Sequence, residues 1–135
     1  MPSKVEWVNS KITGGHWAFK TKKSAKPFQN PMHEATALDL LPGDRVVDIG
    51  AYVGEYSLWS ARQGVEKVTS YEPTPDTYAL LKRNVGKCCN PINKAVVGND
   101  NRTVVLHLSS GIGVTNSVVK SLRKKGHVEV PAIRY

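Results

Sequence analysis

A short β-branched run that ends in a glycine turn is the feature that most constrains the fold. Residues 45–49, Arg-Val-Val-Asp-Ile, have the composition of a strand buried in a parallel sheet, and they lead directly into residues 50–54, Gly-Ala-Tyr-Val-Gly, which we call the glycine turn. Residues 55–63 are then predicted as a helix, and residues 67–72 as a second strand. Two strands joined by a helix imply a right-handed crossover and a parallel sheet.

The alternation continues toward the C-terminus. Residues 74–76, Thr-Pro-Asp, favour the start of another helix, which Gly86 ends, and residues 92–97 are predicted as a third strand. Residues 103–108 and 128–133 predict a smaller, antiparallel β ribbon. The fold class is therefore α/β, with parallel strands and a small ribbon.

The first 29 residues are predicted to be an accessory piece. Residues 5–19 suggest a hairpin split at a glycine pair, and the basic, proline-bounded segment 20–31 forms a connector. A helix is predicted from Asn30 to Leu41, because apolar residues recur there at helical spacing. We therefore separate residues 1–29, the hairpin and connector, from a domain that spans residues 30–135.

Composition limits the function classes. A chain of 135 residues with 40% hydrophobic residues has room for one packed domain, and its net charge of +8 lies in its flanks. The basic runs at 20–26 and 120–125 contain no interleaved aromatic residues, so we do not expect a nucleic-acid partner. The sequence shows neither a signal peptide nor an apolar run of roughly 18 residues, so we expect a cytoplasmic protein that does not enter a membrane.

Cysteine and histidine spacing predicts no metal site. Cys88 and Cys89 are adjacent, so an ordinary disulfide between them would be strained, which fits a reducing compartment. The histidines are scattered without a partner at ligand spacing, and surface or packing roles are expected for all four: His16, His33, His107 and His127.

Carboxylates at the ends of the first two strands indicate a ligand site. Asp48 and Glu72 should be neighbours in a parallel sheet, and a carboxylate in the position of Glu72 is suited to accept both hydroxyl hydrogens of a ribose. The glycine turn lacks the dinucleotide and P-loop spacings, and Glu55 directly after it would repel phosphate. We predict a ligand with a ribose and a cationic or zwitterionic end.

Two segments then resemble a known family. Residues 46–58, Val-Val-Asp-Ile-Gly-Ala-Tyr-Val-Gly-Glu-Tyr-Ser-Leu, and residues 70–84, from Ser-Tyr-Glu-Pro to Leu-Leu-Lys-Arg-Asn, closely resemble S-adenosylmethionine-dependent methyltransferases of the FkbM type. Residues 93–98 are similar to the third strand of that family, and the resemblance extends over residues 30–135. It implies a Rossmann-like methyltransferase fold with S-adenosylmethionine as the cofactor.

The resemblance also implies which residues bind the cofactor. Asp48 helps to hold the region of the methionine ammonium, and Tyr56 and Ser57 complete the methionine pocket. Glu72 binds the ribose, while Pro73 and the segment around Ala95 flank the adenine. The backbone that passes beneath the methionine part belongs to three residues of the glycine turn: Gly50, Ala51 and Gly54.

One departure from the family, one agreement with it and the end of the sequence bear on what the resemblance implies. Tyr52 stands where members of the family commonly have Asn, and Glu34 stands where they often have Glu. Family members continue into a fourth core strand, whereas this sequence stops at Tyr135, so no catalytic residue is carried over. We therefore expect an incomplete, cofactor-binding half whose first strand has a free edge. A second copy, a separately encoded C-terminal half or the N-terminal hairpin would cover that edge.

The resemblance implies an enzyme that transfers a methyl group to an oxygen of a small-molecule or sugar acceptor. Two alternatives stay open, a non-catalytic methyltransferase-like binding module and a nucleic-acid methyltransferase. Turnover separates the first alternative from the enzyme, and salt-sensitive binding to RNA or DNA identifies the second.

Overall fold

The computed structural model describes residues 6–9, 16–19, 40–109 and 124–135. Residues 20–39 and 110–123 lie outside this description. The first of these ranges contains the predicted connector, Glu34 and most of the helix predicted from Asn30. The described elements in chain order are β1 (Glu6–Asn9), β2 (His16–Phe19), β3 (Arg45–Ile49), α1 (Glu55–Arg62), β4 (Lys67–Tyr71), α2 (Pro75–Val85), β5 (Asn90–Ile92), β6 (Ala95–Val97), β7 (Thr103–Ser109) and β8 (Lys124–Arg134).

The centre of the described chain is a parallel sheet of three strands in the order β3, β4, β5. Val46 of β3 pairs with Val68 of β4, and Tyr71 of β4 pairs with Ile92 of β5. The helix α1 connects β3 to β4 and lies against both strands. The strand, helix and parallel strand predicted from the β-branched runs are therefore confirmed.

The two helices begin and end at the residues that their sequences favour. Gly54 precedes α1 with a φ of 96°, and α2 has Pro75 in its first turn, where the missing N–H of proline costs no hydrogen bond. Gly86 follows the last residue of α2. On the inner face of α2, Leu81 and Val85 are fully buried and form one apolar cluster with Ala51 of the glycine turn.

Gly54 brings the glycine turn into close contact with α2. A Cβ atom at this position would lie 2.5 Å from Cγ1 of Val85 and 2.7 Å from Cδ1 of Leu81. Both distances are well below van der Waals contact, so only glycine allows this packing. The positive φ of Gly54 independently favours glycine.

The prediction of one strand over residues 92–97 is wrong. β5 ends at Ile92 and β6 begins at Ala95, and the two strands belong to different sheets. Asn93 lies between them, and its Nδ2 donates hydrogen bonds to the carbonyl oxygens of Glu72 at 2.8 Å and Pro73 at 3.2 Å. These contacts hold Asn93 at the end of β4, where the chain leaves the parallel sheet.

The second core sheet is mixed, with the strand order β6, β8, β7. β6 is parallel to β8, whereas β7 is antiparallel to it, so the predicted antiparallel ribbon is confirmed and extended by one strand. Its apolar face is built on buried residues of all three strands, namely Ala95, Leu106 and Val130. The architecture is thus α/β, with parallel strands in one sheet and a mixed second sheet.

The N-terminal hairpin is confirmed, but it does not extend the core. Within the described residues, β1 and β2 pair only with each other, and β2 lies beside α2. The hairpin therefore does not pair with β3. Of the three candidates that we named for covering the free edge of β3, the hairpin is not the one that does so in the described structure. Of the helices in the described ranges, none is long and apolar enough to cross a membrane.

Candidate functional site

The glycine turn is tied to the carboxyl end of β4. Asp48 and Ile49, the last residues of β3, pair with Ser70 and Tyr71. The next two amides, those of Gly50 and Ala51, both donate to the carbonyl oxygen of Tyr71 at 2.9 Å. The chain thus stays beside β4 as it enters the turn, and it brings the two predicted carboxylates to the same edge of the sheet.

Glu72 links β4 to the glycine turn through its side chain. Its Oε2 accepts a hydrogen bond from the amide of Tyr52 at 3.0 Å, and its Oε1 accepts one from the amide of Thr74 at 2.8 Å. The side chain is only 6% exposed, and this burial raises the pKa of Glu72, although the hydrogen bonds oppose the shift. Both amides help to hold the carboxylate in one orientation.

The turn residue that Glu72 holds has an uncommon backbone conformation. Tyr52 has a φ of 53°, and among the described residues it is the one non-glycine residue with a positive φ. Such a conformation is disfavoured for a bulky side chain and persists only where its surroundings determine it. The hydrogen bond from Tyr52 to Glu72 is one such determinant.

Asp48 is held by a chain of buried hydroxyl groups. The Oγ of Ser57, in α1, donates to Oδ2 of Asp48 at 2.6 Å and lies 2.7 Å from Oγ of Ser70 in β4. Both serines are fully buried. Burial raises the pKa of Asp48, and the hydrogen bonds from Ser57 lower it in part. This chain of three side chains joins β3, α1 and β4 directly below the turn.

Glu55 is the third acid at the turn, and its environment differs from that of the other two. The side chain is 8% exposed, and its Oε1 has no hydrogen-bond partner. Burial raises the pKa of Glu55 to about 7. From the sequence we inferred only that Glu55 disfavours phosphate. Its burial could have been suspected from its position, because it is an acidic residue directly after a glycine turn.

The site is rich in carboxyl groups. Asp48, Glu55 and Glu72 all lie at or beside the glycine turn. The chain as a whole has a net charge of +8, so this local excess of carboxylates is opposite in sign to the whole. Such a site is better suited to a cationic group than to phosphate.

The other residues implied by the family resemblance occupy different surroundings. Gly50 has a φ of 80°, and a Cβ atom there would meet no atom within 4 Å. Tyr56 stacks on Trp59 of the same helix, with ring centroids 5.7 Å apart. Pro73 is half-buried beside Glu72, and its carbonyl oxygen contacts Asn93. The side chain of Ala95 packs in the apolar core of the mixed sheet instead.

Asn93 and Ser70 are parts of the site that the sequence did not reveal. Asn93 donates hydrogen bonds to the carbonyl oxygens of Glu72 and Pro73, and Ser70 completes the hydroxyl chain to Asp48. The only signal for Asn93 was a polar pair, Asn93 and Lys94, between apolar residues in a predicted strand. Nothing in the local pattern marks Ser70, because its partners come from distant parts of the sequence.

The remaining chemistry of the site is acidic and hydroxylic. In the part of the chain that the structure describes, no three metal-ligating side chains converge.

In comparisons with known proteins, no protein-family model and no curated protein matches this chain.

Proposed function

We propose that this chain binds S-adenosylmethionine at the carboxyl ends of β3 and β4 and acts in methyl transfer to an oxygen of a small-molecule or sugar acceptor. The observation that carries the proposal is the position of Glu72, whose carboxylate joins the end of β4 to the glycine turn. The resemblance of residues 46–58 and 70–84 to FkbM-type methyltransferases supports the cofactor and the type of acceptor.

Glu72 suits a ribose because of its remaining hydrogen-bonding capacity. Each carboxylate oxygen can accept two hydrogen bonds, and each oxygen of Glu72 accepts one from a backbone amide. The side chain of Thr74 also hydrogen-bonds Glu72, so about one of the four acceptor positions remains for a hydroxyl donor of a ribose. The orientation of the carboxylate is fixed in advance by the amides of Tyr52 and Thr74, so less ordering is needed upon binding.

The glycine turn suits close approach of a ligand to the backbone. The space next to Gly50 contains no atom within 4 Å of where a side chain would begin. Ala51 and Gly54, by contrast, face the apolar cluster of α2 and are filled on that side. The turn is therefore anchored on one side and open at Gly50.

The charge of the site fits a cofactor that carries a sulfonium and an ammonium group. Three carboxyl groups, those of Asp48, Glu55 and Glu72, lie at the turn, and those that are ionised would attract a cationic ligand. When bound, S-adenosylmethionine supplies a methyl group on a sulfonium for in-line displacement. The role we assign to these residues is to bind and orient the donor, which supplies much of the rate acceleration.

Calorimetric titration of S-adenosylmethionine and S-adenosylhomocysteine into the purified chain tests the proposal. We expect binding by the wild type and a loss of about tenfold to a hundredfold in affinity for Glu72→Gln, because the substitution removes charge-assisted hydrogen bonds. Glu66→Gln is the matched control, since Glu66 is exposed and precedes β4. Circular dichroism verifies that each variant is folded.

Two results would overturn the proposal. One is a folded wild-type chain that binds neither compound, and the other is equal affinity for the wild type and Glu72→Gln. A methyl-transfer assay against hydroxyl-bearing acceptors then separates an enzyme from a module that only binds the cofactor.

A further inference from the structure

Two histidines that lie 20 positions apart in the sequence are direct neighbours in the mixed sheet. His107 of β7 and His127 of β8 are cross-strand partners in the antiparallel register. Residues that are directly opposite in an antiparallel pair have Cβ atoms about 4.5–5.5 Å apart, and their side chains lie on the same face. The two imidazoles therefore share one face of the ribbon.

This face is the solvent side of the ribbon. The adjacent pair, Leu106 and Val128, belongs to the apolar core, so the histidine pair lies on the opposite face. His127 and Glu129 are exposed, while His107 is half-buried. A carboxylate at Glu129, two residues from His127 on the same face, adds negative charge beside the pair.

We propose that His107 and His127 form a two-histidine site for a divalent metal ion that prefers imidazole ligands, such as Ni²⁺, Cu²⁺ or Zn²⁺. Metal-to-nitrogen bonds are about 2.0–2.1 Å long, so two ring nitrogens on one ion are only about 3 Å apart. The close spacing of opposite side chains in the ribbon allows this separation. Within the described residues, no third ligand converges on the pair.

Metal binding at this pair has a structural consequence. The ion would join β7 to β8 one pair before the Leu108–Gly126 pair, after which the register shifts. In the unfolded chain the two histidines are separated by 19 residues, so the folded state binds the ion more tightly. A ligand that prefers the folded state raises the free energy of unfolding by RT ln(1 + L/Kd), where L is its free concentration, so the melting temperature rises with the free concentration of the ion.

The test is a titration of Ni²⁺ alone into the full chain, without an affinity tag, followed by calorimetry and thermal unfolding. We expect one ion per chain, with affinity lowered at least about tenfold in His107→Asn and in His127→Asn, because each variant loses the chelate. We also expect Ni²⁺ to raise the melting temperature of the wild type and not that of either variant.

Other donors in the chain require matched controls. Cys88 is exposed and carries a free thiol, while burial raises the pKa of the Cys89 thiol to about 12 and makes it a poor ligand. We expect Cys88→Ser, and a double variant in which His16 and His33 are replaced by asparagine, to bind Ni²⁺ like the wild type.

Two outcomes would overturn the two-histidine site. One is unchanged Ni²⁺ affinity in both single variants, and the other is loss of binding in the control variants alone. If a single variant unfolds, paramagnetic broadening of the His107 and His127 imidazole NMR signals in the wild type decides the question. Broadening elsewhere, with these two signals unaffected, refutes the site.

Discussion

Among the described residues, the parallel sheet and its helices bury polar as well as apolar side chains, whereas the mixed sheet buries apolar ones alone. At the carboxyl ends of β3 and β4, acids and hydroxyl groups are buried, among them Glu72, Ser57 and Ser70. The mixed sheet instead buries an apolar layer, represented by Leu106 and Val130. The carboxyl ends of β3 and β4 thus bring polar groups together, whereas the mixed sheet removes apolar surface from water.

This difference is the reason why we place the proposed cofactor site at the parallel sheet. Burying a carboxylate costs free energy unless hydrogen bonds compensate for lost solvation, and an apolar residue of the same size would avoid that cost. Two buried carboxyl groups, Glu55 and Glu72, and the half-buried Asp48 lie around one turn beside the parallel sheet, and Glu55 has an oxygen without any partner. The mixed sheet has the simpler arrangement expected of a stabilising element.

The largest loss of stability is expected for a substitution in the glycine turn, which would disrupt the packing of the parallel sheet against α2. Gly54→Ala adds a Cβ that collides with Leu81 and Val85, and it also forces alanine into a φ of 96°. Overpacking costs about 1–3 kcal/mol and a left-handed backbone about 1–2 kcal/mol, so we expect a loss of about 3 kcal/mol or more. Urea-induced unfolding measures it.

Gly50→Ala provides the matched control for Gly54→Ala. It has a similar positive φ but no atom within 4 Å of the new Cβ, so only the backbone cost of about 1–2 kcal/mol remains. Equal losses for the two variants would contradict the packing that we assign to Gly54.

A second substitution weakens the mixed sheet alone. Leu106 is 2% exposed, and Leu106→Ala should lower the free energy of unfolding by about 2–5 kcal/mol through the cavity it leaves. Val105→Ala, on the exposed face of the same strand, should cost much less. We further expect the folded fraction of Leu106→Ala to retain its affinity for S-adenosylmethionine. A marked loss of affinity in that fraction would show that the two regions are not separate in function.

The smallest effect sharpens the account of the buried acids. The pKa of Glu55 is raised to about 7, so the folded state binds this proton more tightly than the unfolded state does. Stability should therefore decrease as the pH rises from about 4.5 to 7, and the loss should be complete above that range. Glu55→Gln removes this dependence, and at pH 8 it should be more stable than the wild type by on the order of 1 kcal/mol.

Thermal or urea unfolding at pH 5 and pH 8 measures this difference. Glu66→Gln, which replaces an exposed carboxylate, should leave the pH dependence as in the wild type. If Glu55→Gln and the wild type change in parallel between the two pH values, Glu55 does not ionise in the buried environment described above.

The sequence was sufficient to predict the order of strands and helices from Arg45 to Gly86. The signals there are local: a β-branched run precedes the glycine turn, proline starts α2, and glycine follows it. Asp48 and Glu72 could be placed at one sheet edge for the same reason, because parallel strands with a helical crossover bring their carboxyl ends together. The antiparallel ribbon of β7 and β8 was likewise visible in two apolar, β-rich runs.

Only the tertiary structure decided how these elements use their polar groups and which strands pair. Residues 92–97 form two strands because Asn93 binds the backbone of Glu72 and Pro73, a contact across 20 positions. The pairing of His107 with His127 depends on the register of β7 and β8. Hydrophobic periodicity predicts the face of a residue, whereas cross-strand register and hydrogen-bond partners depend on segments far apart in the chain, which only the folded arrangement brings into contact.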